Sequence, residues 1–165
     1  MTSPAISGGP VTEVCILGID PGLSGALAFL FPSALNRVVA EDMPVVNGQV
    51  DTVTLADRIR QMSPSFAIVE AVHNMPRDGG SSSFKFGDSC GAVRGVLGAL
   101  AVPIYRVTPP VWKRHFNLPA DKEAARALAL QRFPVTGFHF ARKKDHGRAE
   151  AALIALYAHE MEICV

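Results

Sequence analysis

Three short runs of apolar and β-branched residues open the ordered part of the chain: VCILGI at 14–19, ALAFLF at 26–31 and RVVAEDMPVV at 37–46. Only the turn-rich DPGLSG and PSALN separate them, so the pattern predicts a meander of antiparallel strands. TVTLADRIRQM follows, with Val53, Leu55, Ile59 and Met62 at helical spacing, and then FAIVEAV, a continuous apolar strand. Strand, helix and strand in succession imply a crossover and a parallel pairing. HNMPRDGGSSS reads as a polar loop. FKFGDSCGAVRGVLGAL reads as a helix in which Gly91, Gly95 and Ala99 recur every four residues and leave one face almost bare. That face is expected to pack tightly on the chain's own sheet, with a subunit contact as its second use. VPIYRV is the next strand, TPPVWKRHF a short helical turn entered through prolines, and DKEAARALALQRF a helix with Asp121 in the N-cap position. In DHGRAEAALIALYAHEM, Ala149, Ala152, Leu153, Leu156 and Tyr157 form an apolar stripe whose flank is filled by Ala151, Ile154 and Ala155, so this helix is expected to be buried nearly all round.

At 165 residues and 48% hydrophobic composition the chain is long enough for one well-filled core. The expected organisation is a loose tail over 1–12, rich in Ser, Gly, Pro and Thr, and a single domain over 13–165. No window resembles a membrane span or a secretory signal, which leads to the expectation of a cytoplasmic protein, or one of an organelle matrix or a host cytoplasm. Three widely spread cysteines, Cys15, Cys90 and Cys164, suggest neither a disulfide framework nor a zinc site. Formal net charge is only +1, but the charges are unevenly spread. Lys113, Arg114, Lys122, Arg126, Arg132, Arg142, Lys143, Lys144 and Arg148 crowd one segment against Asp121, Glu123 and Asp145. Such a basic half can face a phosphate backbone or can simply be a solvated surface.

Three carboxylates interrupt apolar runs: Asp20 ending the first strand, Glu70 within FAIVEAV, and Glu150 in the buried last helix. Each alone has an ordinary reading, in turn chemistry, at a strand end, or paired with Arg148 or Lys143. Together they point to one site. Unpaired buried carboxylates are costly, and like charges that crowd together cannot all ionise unless a cation neutralises them. Oxygen donors without His or Cys spacing favour Mg²⁺ or Mn²⁺ over zinc. For a fourth group the sequence offers Asp145, which is also suited to capping the helix, and His146, four residues before Glu150 on the same face. Asp145 ranks slightly ahead.

GIDPGLSGALAF, the strand ending VEAV, SSSFKFGDSCGAVRGVLGAL, VTPPVWKRHF with DKEAARALAL, and KKDHGRAEAALIALY, in this order, closely resemble the RuvC-like Holliday junction resolvases. KKDHGRAEA in particular is similar to the ending of the chloroplast members. The resemblance spans residues 13–160. It implies an α/β, ribonuclease H-like fold: a mixed five-stranded sheet, antiparallel meander plus parallel strands, flanked by helices. It implies an endonuclease that resolves four-way DNA junctions by paired, symmetric, metal-dependent hydrolysis, leaving 5′-phosphate and 3′-hydroxyl ends. The implied cofactor is Mg²⁺ or Mn²⁺, two ions per site, and the implied assembly a homodimer with the glycine-bearing helix as a candidate interface. Carried over by position, the catalytic and metal-holding acids fall on Asp20, Glu70 and Glu150, with Asp145 or His146 in the remaining place. In the bacterial enzymes the last two catalytic positions are three apart, and here that spacing falls on Gly147. The family's catalytic-site lysines fall on Lys113 and Lys122, and its junction-stacking aromatic on His73, with Phe84 and Phe86 as substitutes. Lys85, Arg114, Lys143, Lys144 and Arg148 complete the expected DNA-contacting set. Rival readings are a nuclease of the same fold with broader branched or flap DNA selectivity, a nucleotide binder of the sugar-kinase or actin type, for which the chain is too short, and a non-catalytic junction-binding module.

Overall fold

A computed structural model describes residues 13–34, 37–72 and 79–164. Strands β1 (Ile16–Asp20), β2 (Ala26–Phe31) and β3 (Arg37–Asp42) form the expected antiparallel meander, with Asp20 opposite Ala26 and Ala26 opposite Asp42. Helix α1 (Thr52–Met62) carries the chain over to β6 (Phe66–Glu70), which pairs parallel to β1. Helix α2 (Gly80–Ala99) carries it on to β7 (Ile104–Val107), parallel to β6. The sheet order is β3-β2-β1-β6-β7. Helices α3 (Pro109–His115), α4 (Lys122–Arg132) and α5 (His146–Glu160) complete the chain.

Both faces of this sheet are covered, which is why β1 and β2 read as unbroken apolar runs and not as alternating ones. Ile16, Ala28, Leu30 and Ile68 face α4 and α5, whereas Leu17, Ile19, Phe29 and Ala67 face Leu55 and Ile59 of α1 and Val93 and Leu97 of α2. Helix α5 is sealed from residue 149 to 158. Its alanines let it lie against the backbone of β1: a Cβ added to Gly18 would stand 2.1 Å from the Ala151 carbonyl oxygen. That close approach fixes α5, and with it Glu150, over the end of β1.

Four sequence expectations change. The third apolar run ends as a strand at Asp42; Pro44 cannot donate to a ladder, and Val45–Val46 (β4) pairs instead with Gln49–Val50 (β5) in a small separate hairpin. Val53 is exposed, because only Leu55 and Ile59 fall on the buried face of α1. Helix α2 begins at Gly80 and absorbs the three serines expected in the loop. Finally, the bare face of α2 does not pack on the sheet. Gly87, Gly91, Gly95 and Gly98 have nothing within 4 Å of the place a Cβ would take, and the inward face is built from Ser89, Val93 and Leu97. The tail over 1–12 and His73 lie outside the described residues. The three cysteines are unpaired, and no described helix is long and apolar enough to cross a membrane.

Candidate active site

Parallel pairing of β1 with β6, Ile19 opposite Val69, puts Asp20 and Glu70 at neighbouring carboxyl ends of the sheet. Ligands of open α/β sheets bind in the crevice outside such strand ends. The loop after Asp20 folds back tightly, with the Gly25 amide donating to the Gly22 carbonyl, and a Cβ at Gly25 would collide with the Asp20 carbonyl at 2.0 Å. A glycine there lets β2 start beside the strand that Asp20 ends. Helix α5 then lowers its first turns onto this loop and brings Glu150 across.

The result is a crevice of about 490 Å³ bordered by Asp20, Lys85, Phe86, Lys122, His146 and Glu150, with Glu70 close enough to Asp20 for its charge to be felt there. Burial, then the negative charges of Glu70 and Glu150, push the Asp20 carboxyl up to about 7, against the opposing pull of Lys122 and Lys113. Glu70 is also raised, mainly by burial and secondarily by Glu150, while a hydrogen bond from Trp112 and the charge of Lys113 act the other way. The Trp112 indole Nε1–H donates to Glu70 Oε1 at 2.9 Å from a fully buried ring. Lys113 Nζ stands 3.2 Å from Glu150 Oε1 and 5.2 Å from the Trp112 ring centre. Two consecutive residues of α3 thus serve two acids of the cluster. Trp112 escaped the sequence reading, although its position as the chain's single tryptophan beside a candidate catalytic lysine was a usable signal.

Asp20, Glu150, His146 and Lys122 line the crevice, Glu70 and Lys113 join them through their charges and the Lys113–Glu150 pair, and Asp145 does neither. The Asp145 carboxylate is 1% exposed; it accepts the Arg142 backbone N–H at 2.8 Å and the Arg142 guanidinium at 2.8 Å. Burial pushes this carboxyl up, but the hydrogen bonds and charge of Arg142 outweigh it, and it lies below the usual carboxylate range. Nor does its side chain cap α5, as expected from sequence; it closes the 3₁₀ turn Lys143–Asp145 just before that helix. Position 147 does face the acids, since a Cβ on Gly147 would lie 3.7 Å from Asp20 Oδ2, yet it carries no side chain. Arg148 is drawn away too, paired with Asp42 on β3 at 2.7 and 2.9 Å. Phe84 is 77% exposed, Phe86 forms a wall of the crevice, and Arg114, Lys143 and Lys144 are exposed and do not line it.

The donor set suits a hard divalent cation: carboxylate oxygens that repel one another, with the Asp20 carboxyl pushed up first by burial and then by Glu70 and Glu150. Among the described residues no three His, Cys, Asp or Glu side chains close around one point as they stand. Trp112 Nε1 donates to Glu70 and Lys113 pairs with Glu150, so two of the three acids have a protein partner.

No protein-family model matches the sequence, and no curated protein matches it. Solved structures do. RuvC of T. thermophilus in complex with a Holliday junction substrate is similar with a TM-score of 0.67 and 17% identity, over 90% of this chain and 96% of that one. The yeast mitochondrial Holliday junction resolvase follows with TM-score 0.60 and 15% identity, over 91% of this chain and 79% of that one. The fowlpox virus resolvase, also in complex with substrate Holliday junction DNA, has TM-score 0.56 and 11% identity, over 91% and 99%. The likeness is one of fold, and it establishes the ribonuclease H-like architecture with a five-stranded mixed sheet.

Proposed function

We propose that this chain is a structure-selective endonuclease that resolves four-way DNA junctions by paired, symmetric phosphodiester hydrolysis. The observation that carries the reading is the convergence of Asp20, Glu70 and Glu150, from β1, β6 and α5, in one crevice with Lys113 and Lys122 beside them. The fold shared with structures described as bound to Holliday junctions supports the substrate class. Asp20, Glu70 and Glu150 would hold Mg²⁺ or Mn²⁺, two ions per site, with His146 as the fourth group. Divalent cations, when bound there, supply Lewis acidity to the scissile phosphate and its attacking water.

The chain's own residues do the rest. Trp112 orients Glu70 by its indole hydrogen bond, which acts against the upward push that burial and Glu150 exert on that carboxyl. Lys113, on releasing Glu150, and Lys122 at the start of α4 place positive charge beside the phosphate, where the developing negative charge of an in-line displacement needs it. His146 borders the same crevice and is positioned to exchange a proton with a water or a leaving oxygen. Products with 5′-phosphate and 3′-hydroxyl ends are expected. Paired nicks require two sites related by the junction's own two-fold symmetry, and we assign the second site to a second copy. The open glycine face of α2, along Gly87, Gly91, Gly95 and Gly98, would let two such helices approach closely.

The test is incubation of the protein with labelled four-way junction, flap and linear duplex, with and without Mg²⁺. Symmetric nicks in the junction alone, only with metal, support the reading. Equal cutting of flap and junction replaces it with a broader branched-DNA nuclease, and binding without any cutting removes the enzyme.

A further inference from the structure

Beside the catalytic crevice lies a second cavity of about 330 Å³, lined by α2 from Ser83 to Arg94 and by the edge strand β7. Phe86 borders both, and Glu70 lines the second. Arg94 from α2 and Arg106 from β7 both line it together with Cys90, on which both arginine charges act. Both arginines are exposed. Among the described residues neither makes a salt bridge or a side-chain hydrogen bond, whereas Arg37, Arg58, Arg60, Arg126, Arg132, Arg142 and Arg148 are each paired with a carboxylate. Glu70 lines the same cavity but accepts from Trp112 and pairs with neither arginine, so two guanidinium groups from different elements are left to attract an anion there, and guanidinium matches phosphate oxygens in fork geometry.

We propose that Arg94 and Arg106 together hold a phosphodiester of the cleaved DNA strand that flanks the cut and is not itself hydrolysed. The cavity adjoins the catalytic acids, and phosphates follow one another along a strand at about 3.4 Å of rise each, so a strand seated at Asp20 runs naturally past Phe86 into it. This would fix the register of the scissile phosphate without touching a base. The inference rests on the reading of the chain as a DNA-cutting enzyme. A competing account is that Arg106 merely protects the exposed edge of the sheet from pairing with another strand.

The experiment measures binding of a fluorescent four-way junction, without divalent metal, to wild type and to R94Q/R106Q over about 50 to 200 mM salt. The double variant is expected to bind about tenfold more weakly and to show a log K against log salt slope shallower by about 1, the signature of one lost phosphate contact. Single neutral methylphosphonate linkages are then moved along the strand near the cut. One position should weaken wild type and leave R94Q/R106Q unaffected, because the contact it removes is already gone. R94K/R106K should restore most of the salt slope, since charge is retained. An unchanged slope, or equal methylphosphonate sensitivity in both proteins, overturns the site even if wild type cuts junctions as proposed. If wild type binds duplex as well as junction while the arginine effects persist, the phosphate site stands and junction selectivity falls. If wild type binds no DNA at all, both fall.

Discussion

Replacing Asp20 by asparagine tests whether the acidic cluster stores unfavourable charge in the metal-free protein. Burial, Glu70 and Glu150 raise the Asp20 carboxyl to about 7 in the folded state, against an ordinary aspartate value of about 3.9 in the unfolded chain. A raised carboxyl binds its proton more tightly when folded, so the folded state gains from protonation and loses as pH climbs. Between about pH 4 and pH 8 the group should withdraw up to about 4 kcal/mol, from 1.36 kcal/mol for each of roughly three pH units. Asp42 and Asp145, whose carboxyls are lowered, act in the opposite sense and lose their contribution as pH falls, so total stability alone cannot isolate the effect. The difference between Asp20→Asn and wild type can. Urea unfolding in EDTA from pH 4 to 8 should find the two proteins close at acid pH and the variant ahead by about 2 to 4 kcal/mol at pH 8. Added Mg²⁺ should raise the urea midpoint of wild type and leave the variant nearly unmoved. A variant less stable than wild type at pH 8, or a difference independent of pH, would refute the argument from burial and charge crowding on which the metal assignment stands.

Trp112→Phe keeps an aromatic in the core and removes the donor to Glu70; stability should drop by about 1 to 3 kcal/mol. Glu70 should rise further, so the acidic limb of the pH–rate profile for junction cleavage moves to higher pH, and an unmoved limb counts against the orienting role. Asp145→Asn should cut junctions at close to the wild-type rate while lowering the urea midpoint, whereas His146→Ala should lose at least about 10²-fold in rate. The reverse ranking would restore Asp145 to the reacting centre. Gly18→Ala drives a Cβ into the Ala151 carbonyl, a backbone atom that cannot swing away, and should cost about 3 kcal/mol by urea unfolding together with a loss of cleavage as α5 lifts Glu150 from Asp20.

The strands and the long helices were legible because the chain's apolar runs are short, dense and cleanly interrupted. Asp20, Glu70 and Glu150 were legible for a related reason: a carboxylate inside such a run is expensive to desolvate, so its presence calls for an explanation that a surface charge never needs. The partners of those acids were hidden. Trp112 reaches Glu70 across 42 residues of sequence, and no local pattern encodes that contact. The open glycine stripe of α2 was misassigned because spacing tells which residues share a face, not what the face meets. Arg94 and Arg106 were missed for the same reason, as they converge only once β7 lies beside α2.

The fourth group shows most clearly what local backbone geometry decides. Asp145 and His146 are adjacent, and on a regular helix successive residues point about a quarter turn apart, so their fates hinge on where α5 begins. A 3₁₀ turn over Lys143–Asp145 ends at that boundary and bends the Asp145 carboxylate back onto its own Arg142. His146 is then the first residue of α5, one turn before Glu150, and inherits the crevice. Helix α3 makes the complementary contribution: its prolines set where it starts, so that Trp112 and Lys113 arrive together at Glu70 and Glu150. The acids supply the charge of the site, but two helix beginnings decide which neighbours they meet. A proline-to-glycine change at Pro109, which loosens that start without touching any reacting group, should therefore disturb Glu70 and Glu150 together, seen as a lowered cleavage rate with the fold retained by circular dichroism. Unimpaired cleavage would mean that α3 is held in place by Trp112 alone.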